Sequence, residues 1–463
     1  MINHFNFKQF NETTKLMTND SGRYAFVENG LFENIVRGHM VPEETKKSLE
    51  EAHFIYSGSR EEFIEKYSNE MRCSKSYLFH ATSLHIFVVT NICNYNCVYC
   101  QAQHNNQAGK GKMSRETATK AVDIALQSPA QYLTFEFQGG EPFINFEIIK
   151  YIVEYAEERK GPKNIRYTVV SNLSMLTDEI QDFLSKYNVG LSTSLDGSCE
   201  LQNKNRPSID GTDSYAVINE KLPRLKAANI NVGAIQTTTR YSLEAYKEIV
   251  DEYIKNEFDT VFIRPLTRLG KASEAWNSIG YSPEEFVEFY GNVLDYIVEK
   301  NKEGTYIAEG HAVIFLNKIL KASPEDYMDL RSPCGGVVGQ MAYYYDGNVY
   351  TCDEGRMLSE MGNDAFLLGN VYNTDYESIV NSDSCKAILG SSCLECIPEC
   401  CDCVYSPYCG VCPVVNLALG GDIFPRTPNN DRCRIYKGIL DKIFEYLYRN
   451  DDKEIEILKS WIY

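Results

Sequence analysis

The sequence lacks three features that would point to nucleic acid or to a membrane. It has 46 Lys and Arg residues against 64 Asp and Glu, a formal net charge of −18, so no surplus of positive charge is available to follow a phosphate backbone. The opening residues, MINHFNFKQF, do not combine a basic end with an apolar core, and no apolar run approaches the ~20 residues that span a bilayer. We therefore expect a cytoplasmic protein without a nucleic-acid or membrane partner.

Internal repeats of 20–50 residues are also missing, apart from an alternation of strand and helix patterns. Hydrophobic residues make up 43% and aromatic residues 12% of the 463 positions, which is enough for packed cores and argues against long disorder. The length favours two or three domains.

Cysteine, in contrast, is abundant. Most of the 16 cysteines fall in two groups, one at residues 93–100 and one at 334–433. In a large chain without a signal peptide, such groups bind metal more often than they form disulfides. Zinc and iron–sulfur are the two alternatives.

Hydrophobic patterning divides the chain into four parts. Residues 1–80 predict a small α+β unit, with a strand pair that turns at Asp20-Ser21-Gly22 and helices at 44–53 and 61–68. Residues 81–305 alternate six strands (84–90, 132–138, 165–172, 190–197, 231–239 and 260–266) with helices (114–127, 146–160, 177–187 and 243–256), which predicts an α/β fold with a parallel sheet, open or closed into a barrel. Residues 306–435 are rich in Cys, Gly and Pro, and residues 436–463 contain a last helix.

The first cysteine group, Cys93-x3-Cys97-x2-Cys100, directly follows the first strand of this sheet. Parallel α/β sheets build active sites beyond the carboxyl ends of their strands. Three thiolates so close in sequence can hold one [4Fe–4S] cluster and leave one iron without a protein ligand. On spacing alone, a zinc knuckle completed by His104 stays open as the alternative.

With Tyr99 before its last cysteine, this motif resembles the signature of the radical S-adenosylmethionine (SAM) superfamily. The resemblance implies a partial (β/α)6 TIM-type barrel and a cluster whose vacant iron binds SAM. It also implies reductive cleavage of SAM to a 5′-deoxyadenosyl radical that abstracts hydrogen. The motifs at the strand ends then imply SAM contacts from Tyr99, Gly139, Gly140, Glu141, Ser171, Asn172, Ser194, Asp196, Arg206 and Leu266. Taken singly, most of these residues could equally form turns or solvated loops.

The second cysteine group resembles a SPASM domain, the extension that carries auxiliary clusters in peptide-modifying radical SAM enzymes. The resemblance implies an outer cysteine group (Cys400, Cys403, Cys409 and Cys433) and an inner cysteine group (Cys334, Cys352 and Cys412), each holding one [4Fe–4S] cluster. The spacing from Cys409 to Cys412 is one residue shorter than usual. A fourth ligand for the inner group is not obvious: Cys393 or Cys396 could supply it, or the site is open. A pair of zinc sites is the alternative for the whole region.

Asp353 directly follows Cys352. Resemblance to sulfatase-maturing relatives implies that it removes a proton from the substrate radical, whereas the alternative is a loop aspartate that faces water.

Two stretches, LHIFVVTNIC from Leu84 and CVYSPYCGVCP from Cys403, resemble the His-Xaa-Ser system maturases. This resemblance implies a ribosomally made precursor peptide as the substrate, a post-translational cross-link as the product, and an electron donor such as flavodoxin or ferredoxin. Two other functions stay open: a sulfatase-type maturase that forms formylglycine, and a metal-stabilised peptide-binding protein that is no enzyme. Residues 1–80 either grip a leader peptide by strand addition or cap the barrel.

Overall fold

The N-terminal unit is a three-stranded antiparallel sheet followed by helices. The computed structural model describes residues 1–102, 111–324, 327–424 and 431–463. The elements of the unit are β1 (Asn6–Gln9), β2 (Thr14–Thr18), β3 (Tyr24–Glu28), α1 (Asn29–Arg37), α2 (Glu43–Glu51) and α3 (Arg60–Ser74). The sequence predicted β2, β3, α2 and α3. It missed β1, which is short and mostly polar, and α1, which starts where β3 ends with no turn residue between them.

This unit packs against the C-terminal region of the chain. Tyr24 and Phe26 of β3 contact the ring of Phe444, at centroid distances of 5.3 and 6.2 Å. The Thr18 hydroxyl donates to the Val404 carbonyl at 2.6 Å in a buried position. The side-chain amide of Asn6 donates to the carbonyls of Cys401 and Cys403. The N-terminal sheet is therefore bonded to the loop that carries part of the outer cysteine group.

Six parallel strands form the barrel, in the order in which they occur in the chain: β4 (Leu84–Thr90), β5 (Tyr132–Gly139), β6 (Asn164–Val170), β7 (Gly190–Ser194), β8 (Val232–Thr237) and β9 (Thr260–Arg264). This confirms the predicted α/β class with a parallel sheet. Each strand starts within one residue of its predicted start, but the last four end two or three residues early. The residues beyond those ends belong to the loops where the candidate site lies.

Helices alternate with these strands: α4 (Arg115–Gln127), α5 (Phe146–Arg159), α6 (Asp178–Lys186), α7 (Cys199–Asn205), α8 (Ser214–Ala227), α9 (Tyr246–Lys255), α10 (Lys271–Glu274), α11 (Trp276–Ile279), α12 (Pro283–Lys302) and α13 (Gly310–Lys321). The predicted caps are present, because Ser114 accepts from the Thr117 amide and Thr177 from the Ile180 amide. No helix in the described ranges has both the length and the hydropathy needed to cross a bilayer.

The Cys-rich region extends the barrel sheet instead of forming a separate one. The short strand β10 (Ala308–Glu309) pairs with β9 at one edge. At the other edge β11 (Gln340–Tyr343) pairs with β4 in parallel, and β12 (Asn348–Tyr350) and β13 (Leu367–Asn370) follow antiparallel. The helices of this part are α14 (Asp353–Glu360), α15 (Tyr376–Val380), α16 (Asp383–Ser392), α17 (Pro413–Gly420), α18 (Asp431–Arg449) and α19 (Asp452–Ser460). The last helix was expected from about Tyr436 to Leu447, but α18 begins before and ends after those residues, and α19 follows it.

Replacing Thr18 with Val should lower the stability of the protein, because the nearly isosteric side chain leaves the buried Val404 carbonyl without its donor. A buried acceptor without a partner costs ~1–3 kcal/mol. Thermal unfolding of Thr18→Val and of the exposed control Thr13→Val would measure the difference. Equal midpoints for the two variants would contradict the role of this bond.

Candidate active site

The first cysteine group lies in the loop that leaves the carboxyl end of β4. Burial, as the largest cause, and the charges of neighbouring groups raise the pKa of the Cys93 thiol to about 11 and that of Cys97 to about 12. Burial also raises the pKa of Cys100. The Tyr95 amide donates to the Cys93 sulfur at 3.4 Å. The structure therefore gathers the three thiols into one enclosed group with an N–H donor already directed at a sulfur.

The glycine pair at the end of β5 holds this loop in place. The Gly140 amide donates to the Thr90 carbonyl and the Glu141 amide to the Ile92 carbonyl, both at 2.9 Å. A Cβ on Gly140 would lie 2.3 Å from the Ile92 oxygen and 2.9 Å from the Cys93 Cβ, and one on Gly139 would lie 2.2 Å from the Thr90 oxygen. Glycine is required at both positions because the two backbones touch.

Glu141 is fully buried and already engaged at the end of β6. Its carboxylate accepts from the Ser171 hydroxyl and the Asn172 amide, each at 2.8 Å, and from the Phe143 amide at 3.2 Å. Burial raises its pKa to about 7, against the lowering effect of these donors. The side chain therefore joins the ends of β5 and β6.

Asp196, just beyond β7, connects three other residues of the site. It accepts from the Tyr99 hydroxyl at 2.6 Å, from the Arg206 guanidinium at 3.0 Å and from the Thr237 amide at 3.2 Å. Burial lowers the pKa of Arg206, but Asp196, Tyr99 and Cys97 together outweigh burial and raise that pKa above its usual value, so the guanidinium stays charged. Arg206 also lies over the Tyr99 ring, 5.1 Å from its centroid. Tyr99 of the cysteine loop, Asp196 and Arg206 thus form one hydrogen-bonded unit.

The other residues expected to contact SAM lie at the same rim of the sheet. The Asn172 side chain donates to Asn94 within the cysteine loop at 3.0 Å. Ser194 is the last residue of β7 and is partly exposed. Leu266 is buried just past β9, where its amide donates to the Tyr281 hydroxyl at 2.6 Å.

Sequence reasoning missed three residues that contact this loop. A Cβ on Gly270 would lie 2.7 Å from the Cys100 carbonyl, and the Lys271 amide donates to that carbonyl at 2.9 Å. Arg356 of α14 is buried and donates to the Ala102 carbonyl at 3.2 Å. These contacts join distant parts of the chain, and no local motif marks them.

Arg356 also holds Asp353. The Asp353 carboxylate is buried and accepts from the Arg356 Nε at 3.1 Å and from its Nη2 at 2.5 Å. Glu136 of β5 lies near Asp353. Burial is the larger cause that raises the pKa of Glu136, and the charge of Asp353 also raises it. Two carboxylates therefore face the region between the barrel and α14.

The outer cysteine group lines one cavity of about 350 Å³. Burial, followed by the charges of Cys433, Cys403 and Cys400, raises the pKa of Cys409 to about 12. The structure brings the four side chains together although 33 positions separate Cys400 from Cys433 in the numbering.

The inner cysteine group lines a second cavity of about 280 Å³, together with Asp329 and Glu354. The Gly336 amide donates to the Cys334 sulfur at 3.4 Å, and the Gly355 amide donates to the Cys352 sulfur at 3.3 Å. The shortened spacing before Cys412 places the Gly410 backbone against residues 329–331, where a Cβ would lie 2.5 Å from the Asp329 carbonyl.

Cys393 and Cys396 do not line this inner cavity. Cys396 is exposed, and its thiol is hydrogen-bonded to Cys393, with Cys401 also near. The structure therefore brings neither residue to Cys334, Cys352 and Cys412.

These arrangements suit polynuclear clusters. Within the described ranges, no three His, Cys, Asp or Glu side chains converge closely enough to share a single metal ion. An iron–sulfur cluster binds each cysteine through a different iron, so it accepts a wider set of thiolates. The N–H donors at Cys93, Cys334 and Cys352 also suit thiolate ligands. His104, the fourth ligand of the zinc alternative, lies outside the described residues.

A parallel barrel with a three-cysteine loop at its carboxyl rim, held by a glycine pair, is the arrangement of enzymes that bind SAM at an iron–sulfur cluster. Residues 87–252 match the model of the radical SAM superfamily. This part of the chain is a radical SAM domain, and the protein is an enzyme whose cofactors are [4Fe–4S] clusters and SAM.

Known proteins resemble the chain well beyond residues 87–252. The cysteine-type anaerobic sulfatase-maturating enzyme of Clostridium perfringens (strain 13 / Type A) is 24% identical over 341 residues, 71% of this chain and 87% of that protein. Native anSMEcpe with bound AdoMet superposes with a TM-score of 0.69 at 20% identity, covering 82% of this chain and 99% of that one. Streptococcus suis SuiB bound to precursor peptide SuiA gives 0.54 at 16% identity, covering 92% and 98%. At these identities the two structures establish the fold.

Replacing Gly140 with Ala should displace the cysteine loop, because the new Cβ would overlap the Ile92 carbonyl. We expect reconstituted Gly140→Ala to bind less iron and to unfold at lower temperature, since overpacking costs ~1–3 kcal/mol. Gly233→Ala is the control, because nothing lies within 4 Å of its added Cβ. Full iron content and an unchanged midpoint in Gly140→Ala would refute the close approach.

Proposed function

We propose that this enzyme abstracts a hydrogen atom from a ribosomally made precursor peptide and so installs a post-translational modification, with a cross-link as the expected product. The observation that carries the proposal is the gathering of the outer and inner cysteine groups in two cavities beside the radical SAM barrel. When bound, the clusters and SAM supply the reducing electron and the 5′-deoxyadenosyl radical. The cytoplasm is the proposed compartment, because thiol-ligated clusters need reducing surroundings.

In this proposal Cys93, Cys97 and Cys100 hold the cluster that binds SAM. The glycine pair lets the backbone approach the amino group of SAM, and Glu141 fixes the end of β6 beside it. Asp196 orients Tyr99 and Arg206, so that the guanidinium remains charged for the SAM carboxylate. Ser171, Asn172, Ser194 and Leu266 complete the contacts with the ribose, carboxylate and adenine.

The outer cysteine group supplies four ligands to one auxiliary cluster, and the inner group supplies three to another. Flavodoxin or ferredoxin is the proposed electron donor. Asp353 removes the proton after hydrogen abstraction, and Arg356 holds its carboxylate in position. The auxiliary clusters, when bound, would supply the acceptor for the one electron that remains.

A precursor peptide as substrate is supported by the extent of the matches. The structure of anSMEcpe is covered along 99% of its length yet accounts for 82% of this chain, whereas SuiB, crystallised with a precursor peptide, accounts for 92%.

The N-terminal sheet supplies a place for a leader, because β3 pairs with β2 on one side and with no other strand in the described residues. An extended peptide can add to such an edge through backbone hydrogen bonds.

A sulfatase-type maturase that forms formylglycine is the second candidate. It is favoured by the similarity to the Clostridium perfringens enzyme over 71% of this chain. A neighbouring gene for a short peptide, or for a sulfatase, would distinguish the two.

Co-expression with the short peptide encoded beside the gene tests the proposal. Mass spectrometry should find the peptide lighter by two hydrogens, the change that a cross-link between two C–H or X–H positions produces. Changing Cys93, Cys97 and Cys100 together to Ala should leave the peptide unmodified and abolish SAM cleavage, while iron remains in the C-terminal region. An unmodified peptide with the intact enzyme, together with conversion of a sulfatase Cys or Ser, would favour the second candidate.

Asp353→Asn should spare SAM cleavage and slow product formation. Removal of a catalytic base typically costs ~10²–10⁴-fold, and the amide keeps the size of the carboxylate. Rates of 5′-deoxyadenosine release and of peptide modification, measured on the same sample, separate the two steps. Asp383→Asn, at an exposed position on α16, is the control. Unchanged peptide turnover in Asp353→Asn would remove the residue from the chemistry.

A further inference from the structure

The inner cavity contains a carboxylate that makes no side-chain hydrogen bond or ion pair with another residue of the described ranges. Glu354 lines the cavity with Cys334, Cys352 and Cys412. Of the other two carboxylates nearby, Asp353 is paired with Arg356 and Asp329 with Arg432, the latter at 2.9 Å. The Glu354 side chain makes no hydrogen bond or ion pair with another described residue.

Position and charge connect Glu354 to all three thiols. Cys352 is the residue before α14 and Glu354 is the second residue of that helix, so both leave the same turn toward the cavity. Glu354 lines the same cavity as all three thiols of the inner group. An unpaired anion beside three thiols is costly unless a cation binds among them.

The remaining cysteines leave this position unfilled. Cys393 and Cys396 lie beside Cys401, and Cys385 does not line the cavity. An oxygen of a carboxylate can take the place of a fourth thiolate on iron, and Arg432 and Arg264 are near enough to compensate the added charge.

On the basis of the auxiliary clusters proposed above, we propose that the Glu354 carboxylate is the fourth protein ligand of the cluster held by Cys334, Cys352 and Cys412. The inner cluster then has three thiolates and one oxygen ligand, and the iron bound to Glu354 is its exchangeable iron. The outer cluster, with four thiolates, has no such iron.

Oxidative loss of iron tests this ligand without any measurement of activity. The parent for the test carries Ala at positions 93, 97 and 100, which removes the other cluster with an open iron. Ferricyanide takes one electron from a [4Fe–4S]²⁺ cluster, and the weakly held iron leaves as Fe²⁺ to give [3Fe–4S]⁺. We expect release of about one iron per chain from the parent and the electron paramagnetic resonance (EPR) signal of a three-iron cluster. Glu354→Cys should suppress both, because four thiolates then hold the cluster.

Imidazole binding distinguishes ligation from mere proximity. If Glu354 occupies the iron ~90% of the time, it weakens the apparent affinity for imidazole about tenfold. Glu354→Gln should therefore bind imidazole about tenfold more tightly than the parent, measured from the EPR spectrum of the dithionite-reduced cluster. Asp329→Asn is the matched control, since Asp329 lines the same cavity but is paired with Arg432.

Equal imidazole affinity in the parent and Glu354→Gln would overturn the inference, as would tightening in Asp329→Asn alone. Iron release from Glu354→Cys equal to that of the parent would also overturn it. If Glu354→Cys fails to fold, the comparison of Glu354→Gln with Asp329→Asn still decides. A parent with iron for only one cluster would instead refute the auxiliary arrangement under the proposed function, and the ligand assignment with it.

Discussion

The close contact between the glycine pair of β5 and the loop after β4 is the constraint on which the site depends. The Gly139 and Gly140 backbones approach the carbonyls of Thr90 and Ile92 so closely that no Cβ fits between them. This contact sets the direction in which the chain leaves β4, and thus where Cys93, Cys97 and Cys100 come together. On its other side β4 pairs with β11, which leads through β12 to Cys352. One strand therefore positions both the SAM-binding loop and part of the inner cysteine group.

The three cysteine sites share a second feature, the burial of acidic side chains. Cys97, Cys352 and Cys409, one thiol at each of the three sites, have raised pKa values because they are enclosed, so without a cluster they are protonated at neutral pH. Cluster binding must displace these protons, and the affinity for iron should then depend on pH. Buried arginines offset part of the resulting charge: Arg206 lies near Cys97, and Arg432 lies near Cys412. The net charge of −18 thus coexists with local positive charge at the sites.

The sequence predicted what depends on local pattern. Strand starts, helix caps and the α/β class follow from short-range periodicity and were confirmed by the structure. The contacts of Lys271 with Cys100 and of Arg356 with Ala102 join residues about 170 and 250 positions apart, and nothing in their neighbourhood distinguishes them from surface cations. Strands β11 to β13 were missed because they are only three or four residues long, with a turn at Gly347 between β11 and β12 and helix α14 between β12 and β13. The division of the second cysteine group came from a family resemblance. The structure gathers the same sets, but their roles as ligands remain a proposal.

The N-terminal unit supports the loop of the outer cysteine group and also has the edge proposed for a leader peptide, so a deletion of the unit would change both. Asn6 of β1 bonds the carbonyls of Cys401 and Cys403, while the opposite strand of the same sheet, β3, has the unpaired edge proposed for a leader. Removing residues 1–80 would uncover Phe444 and leave the Val404 carbonyl without its donor, so the loop that bears Cys403 would be disturbed together with any leader site. Substitutions at the β3 edge that leave β1 and β2 intact would test leader-peptide binding without disturbing the loop that bears Cys403. In this three-stranded sheet β2 lies between β1 and β3. A peptide bound at the β3 edge and the loop of the outer cysteine group would therefore contact the two outer strands of the same sheet.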